Sequence, residues 1–106
     1  MPVIGQLIKA MGKVGYKVKD GAATGPDTDT VVATGAAGDV AISISEPKLY
    51  KAAIAKISGL PAGVVLAGFE ISDTAITLHC FNPTAADVTV TAGSVSVEYI
   101  AIVEPE

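Results

Sequence analysis

Arginine and tryptophan are absent from the 106 residues, and histidine and cysteine occur once each. Each scarcity excludes something. Without arginine, and with a net charge of −4, the chain lacks the dense cationic surface and forked donors on which phosphate and base contacts rely, so nucleic acid is not an expected partner. A single cysteine, Cys80, makes no disulfide within one chain. One histidine and one cysteine fall short of the three or four ligands of a zinc site, and no metal or cofactor is expected. No apolar run approaches the roughly 20 residues that cross a bilayer. The opening stretch "MPVIGQLIKAMGKVGYKVKDG" lacks the basic-then-apolar order of a signal peptide. The expectation is a soluble chain that keeps its N-terminus.

What is present is apolar and branched. Half of the residues are hydrophobic, mostly Val, Ile and Ala, with frequent Thr. Val and Ile are stiff at χ1 and pack well on a pleated surface, which favours sheet. The length suits one domain with a single core. Charge is unevenly spread. Residues 1–20 carry Lys9, Lys13, Lys17 and Lys19 against Asp20, a balance of +3, whereas the remainder carries three lysines and ten acids, a balance of −7. A basic arm beside an acidic body implies two surfaces with different partners, or one subunit's arm docking on another's body.

Residues 1–20 read in two ways. Ile4, Leu7, Met11, Val14 and Val18 recur at helical spacing, with Lys9, Lys13 and Lys17 on another side. Gly5, Gly12 and Gly15 weaken a helix, and "GYKVKDG" alternates like a strand. An arm that is extended or partly helical is expected. Its apolar side is broken by glycine and anchored by no aromatic residue except Tyr16, so a membrane is not an expected partner. "DGAATGPDTD" reads as a loop. The expected organisation is therefore an arm at 1–20, a hinge at 21–29 and a body at 30–106.

The body reads as short strands: "TVVAT", "DVAISIS", "VVLAGFEIS", "TAITLHCFN", "DVTVT" and "SVSVEYIAIV". Ser72-Asp73 marks a hairpin turn and "NPTAA" another. "EPKLYKAAIAKISGLPAG" interrupts the series. Pro47 is placed to open a helix, Leu49, Ala53, Ile54 and Ile57 fit its apolar side, and Gly59 and Pro61 end it. The expected fold is mainly β, a small antiparallel sandwich or barrel of six to eight strands with one short helix. The last strand is apolar on both faces from Ile100 to Val103, so it is either central or covered by a neighbouring subunit.

Reactive groups are few. His79 and Cys80 are adjacent, and neighbours on a strand point to opposite faces. They make no nucleophile–base pair and share no metal. Cys80 falls in the row of Ile76 and Leu78 and reads as a small buried hydrophobe, while His79 joins Thr77 and Phe81. Asp27 and Asp29 in "PDTDT" lack the calcium-loop pattern and suit turn and capping roles. Glu46, Glu70 and Glu98 sit beside apolar strand residues, and nothing in the sequence brings two of them together. "GAAGDV" leads into a strand, the wrong context for a phosphate cradle. No catalytic residue is assigned.

The order of features from Gly38-Asp39, through Leu60 to Leu66, Asp73 to Asn82 and Thr84 to Val88, to Ser94 to Val103 resembles small β-sandwich proteins of tailed-bacteriophage virions, over about two-thirds of the chain. The resemblance implies a virion structural protein without an active site, made in the host cytoplasm. It would decorate or cement a capsid, or form part of a head fibre or tail, commonly as a homotrimer against the major capsid protein or another shell protein. On that reading the expected contact residues are Ile4, Leu7, Lys9, Met11, Lys13, Lys17, Lys19, Ile100 and Ile102. The alternative is a receptor- or carbohydrate-binding module, for which Tyr50 and Tyr99 are the candidate stacking platforms.

Overall fold

The computed structural model describes residues 15–104. They form eight strands and no α-helix: β1 (Lys17–Gly25), β2 (Thr30–Val32), β3 (Ala37–Ser43), β4 (Leu49–Ser58), β5 (Val65–Ile71), β6 (Ala75–Phe81), β7 (Val88–Val90) and β8 (Val95–Val103). All ladders are antiparallel. Two three-stranded sheets have the orders β1-β8-β4 and β3-β6-β5, and β2 pairs with β7. The mainly β class expected from composition is what the chain adopts.

Alternation builds the core. Val95, Val97, Tyr99 and Ala101 of β8 point inward, as do Ile76, Leu78 and Cys80 of β6 and Val40 and Ile42 of β3. Val32 and Val90 of the β2–β7 ladder complete one buried cluster. Full burial of each Val, Ile or Leu side chain is worth about 1.5–3 kcal/mol before entropy is counted. The β5–β6 hairpin turns at Ser72 as expected, where the Ser72 hydroxyl accepts from the Thr74 and Ala75 amides at 3.3 and 3.1 Å.

Two segments differ from expectation. Residues 20–25, expected in the loop before the body, belong to β1, whose ladder with β8 runs from Lys17↔Val103 to Gly25↔Val95. The segment looks like a loop because its inward row contains glycine. A Cβ on Gly21 would overlap the Tyr99 ring, and one on Gly25 would lie 2.7 Å from Ile42 Cγ1. Glycine here marks a close approach rather than a turn.

The expected short helix at Leu49–Ile57 is strand β4. Two bulges, between Leu49 and Lys51 and between Ile54 and Lys56, insert residues into its ladder with β8. Each bulge adds one position between inward side chains. The row packed against the core therefore falls at Leu49, Ala52, Ile54 and Ile57, spaced 3, 2 and 3 in sequence. That imitates a helical stripe, but Ala53, assigned to the helix's apolar side, is exposed and Ala52 is the inward residue.

β8 is thus the centre of its sheet. Its inward row is covered by the core, and its outward row of Ser96, Glu98, Ile100 and Ile102 lies between β1 and β4.

Candidate functional site

The lone histidine is flanked by two acids. β6 lies between β3 and β5, and the register sets Asp39 directly opposite His79. Asp39 Oδ1 is 2.8 Å from His79 Nδ1, and Glu70 Oε1 of β5 is 3.7 Å from Nε2. The Asp39 hydrogen bond, aided by the charges of Asp39 and Glu70, raises the imidazole pKa above its ordinary 6.5, against a smaller opposing effect of burial. The arrangement favours the protonated imidazole and clamps β6 to its two neighbours. With Nδ1 taken by Asp39, only Nε2 and Glu70 face each other, too few donors for a metal ion. Among the described residues no group of three or more His, Cys, Asp or Glu is arranged to hold one.

Cys80 points the other way, as alternation requires. It is buried; desolvation chiefly, and the Asp39 charge, raise its thiol pKa. A thiol of this kind is held protonated and packs as a hydrophobe.

A second polar cluster sits where β1, β8 and the β3–β4 connection meet. Glu46 is buried, 2.7 Å from Lys19 Nζ and 2.7 Å from the Tyr99 hydroxyl, which donates to it. The bond to Lys19 chiefly, then that to Tyr99 and the Lys19 charge, lower the Glu46 pKa although burial opposes them. Burial first, and Glu46 next, push Tyr99 up to about 12. Every polar atom of this cluster has a partner, so it pins the connection to the sheet instead of presenting reactive groups.

The loop acids Asp27, Asp29 and Asp87 accept from distant segments of the chain, and not within their own turns as expected of Asp27 and Asp29. Asp27 accepts from the Ser43 hydroxyl at 2.7 Å, Asp29 from the Ala92 amide at 2.8 Å and Asp87 from the Thr34 amide at 2.9 Å. Asn82, inside the expected "NPTAA" turn, is fully buried. Its amide donates to the Val32 and Ala86 carbonyls, and its oxygen accepts from the Thr84 amide and hydroxyl.

The residues expected to meet partners are dispersed. Ile4, Leu7, Lys9, Met11 and Lys13 lie outside the described residues. Lys17 is exposed on β1, and Lys19 is spent on Glu46 within the chain. Ile100 and Ile102 stand on the outward row of β8, where the register sets Val18 beside Ile102. Val18 is 63% and Ile100 43% exposed. Lys51 of β4 pairs with Ile102 and Lys56 with Glu98, while Asp20 of β1 pairs with Ile100, so charges of both signs border this apolar strip. Shallow depressions flank it, lined by Asp20, Ala22, Ala55 and Glu98. Val18 as a surface residue was not legible, because helical spacing placed it in the arm's stripe. Of the two tyrosines considered for sugar stacking, Tyr99 is buried, and Tyr50 stacks against Tyr16 with ring centroids 5.2 Å apart.

Comparison with protein-family models, with curated proteins and with solved structures finds no match to the chain.

Proposed function

We propose that the chain is a non-enzymatic structural protein of a bacteriophage particle, a β-sandwich that decorates or cements the capsid as a homotrimer. The supporting observation is the outward face of the β1-β8-β4 sheet. There Val18, Ile100 and half-buried Ile102 form an apolar strip bordered by Lys51 and Lys56 of β4, with Asp20 of β1 and Glu98 of β8 beside it. An apolar centre rimmed by charge suits a protein partner, and the rim, with lysines on β4 and acids on β1 and β8, selects one with acidic groups opposite Lys51 and Lys56. A shell protein repeated by symmetry fits that role, because many copies of a modest contact give firm retention.

The test is attachment to purified particles. Mass spectrometry should find the chain in them at a fixed copy number. Ile100→Asp places a charge in the strip while leaving the core untouched, and should reduce the bound copies about tenfold, a loss of about 1.4 kcal/mol. Particles without the chain, or Ile100→Asp binding as well as the parent, would overturn the proposal.

A further inference from the structure

The charges beside the apolar strip are sorted by strand. On the outward face β1 carries Asp20, β8 carries Glu98, and β4 carries Lys51 and Lys56. Two acids thus balance two lysines. All four are exposed, and among the described residues none of them makes a salt bridge. The register fixes their levels along the strands. Asp20 is level with Ile100, Lys51 with Ile102 and Lys56 with Glu98. Asp20 therefore stands on one side of β8 at a height midway between the two lysines on the other. Between them Ala22 and Ala53 are small, so another flat face has room to approach.

This pattern is complementary to itself. A two-fold axis lying in the face along β8 turns β1 of one copy over β4 of the other and keeps every level. Asp20 of each copy then falls between Lys51 and Lys56 of the other, about 7 Å along the strand from each and within reach of a lysine side chain. Ile100 meets Ile100 on the axis, and Ile102 meets Ile102. The two Glu98 side chains also meet there, flanked by Lys56 of both copies. An axis across the strands would instead set β4 on β4 and lysine on lysine. Strands that run alike in the two sheets suit aligned packing, in which strand directions agree within about 30°. The strands hold nine, nine and ten residues. The face they make is roughly 400 Å² per copy, about half of what each partner gives to a standard interface, so the contact is weak.

We propose that two copies pack the outward faces of their β1-β8-β4 sheets against each other about this axis. The inference rests on the shell reading above for its role: in the free protein a second copy, from another trimer, shields the strip until the shell protein displaces it.

Exchange of charge tests it. Asp20→Lys sets lysine against lysine across the axis, and Lys51→Glu sets acid against acid. Both positions are exposed, and the core is untouched. In sedimentation at low salt each variant alone should associate about tenfold more weakly than the parent. Mixed in equal amounts, the two should regain the parent's affinity, because position 20 of each then faces the opposite charge at position 51 of the other. Two outcomes would overturn the proposal: a parent whose sedimentation does not change with concentration up to the millimolar range, or a mixture that associates no better than its separate components. Because the measurement needs no particles, failure of shell binding leaves it unaffected, and its own failure leaves shell binding standing.

Discussion

Tyr99 shows how one residue's environment is fixed by the lack of a side chain elsewhere. Its ring lies over Gly21, and its hydroxyl is held 2.7 Å from Glu46. Gly21→Ala should push the ring aside and break that bond, costing about 1–3 kcal/mol in a denaturant titration. The same variant should bring the Tyr99 pKa down from about 12 towards 10, read as tyrosinate absorbance. Because the folded value is the higher one, this residue's contribution to stability is present below pH 10 and lost between 10 and about 12. Glu46 has the opposite sign: its contribution is present above pH 4.5 and lost as pH falls through its lowered folded value. His79 follows Tyr99. Its raised pKa means that stabilisation is present below pH 6.5 and lost as pH rises through a folded value above that. Stability of the parent should therefore fall more between about pH 6 and about pH 8 than that of His79→Gln, measured as urea midpoints. Equal pH slopes for the two proteins would remove the clamp from the account. Cys80 and the face it shares were legible from period-two alternation alone. Asp39 and Glu70 beside His79 were not, because a cross-strand pair exists only once the register of β3, β5 and β6 is known.

At the scale of elements, regular alternation identified strands and irregular alternation concealed them. β3, β6 and β8 keep a strict inward–outward pattern, and each was legible. β4 carries two bulges and β1 substitutes glycine for inward side chains, so neither displays a period of two. The distinction between strand and helix at β4 rests on two neighbouring alanines. Ala53→Lys should shift stability by less than about 0.5 kcal/mol, as an exposed substitution does. Ala52→Lys, at a position packed against the core opposite Ala101, should cost more than about 2 kcal/mol. The reverse ranking in thermal melts would restore the helical reading. The arm's outer residues fall outside the described part, so of its expected apolar stripe and lysine row only Val18 and Lys17 have a known place, both in β1.

Across the described residues, lysine is confined to one sheet, where Asp20 and Glu98 accompany it. Every described lysine lies on β1, on β4 or just before β4, whereas Asp39, Glu70 and Asp73 gather on the β3-β6-β5 side. This sorting was partly visible in the sequence as a basic start and an acidic remainder. The second group of lysines, Lys48, Lys51 and Lys56, only joins the first because β4 and β1 flank the same strand. If Lys51 and Lys56 meet acidic groups of the shell, attachment should weaken as ionic strength rises from about 0.05 M to about 0.5 M, because exposed charges are screened over a Debye length. Salt-independent copy numbers would show that the lysines take no part.

The position of β8 also sets a timetable. Of the described strands it is the last to leave the ribosome, yet both β1, the first of them, and β4 take it as their only ladder partner. Pairing between residues as far apart as Lys17 and Val103 makes closure slow relative to local hairpins such as β5–β6. A nascent chain stopped short of Val95 therefore presents two strand edges with no partner. One half of the fold is completed only after synthesis of residues 95–103, and until then the chain depends on dilution or chaperones to avoid pairing with its neighbours.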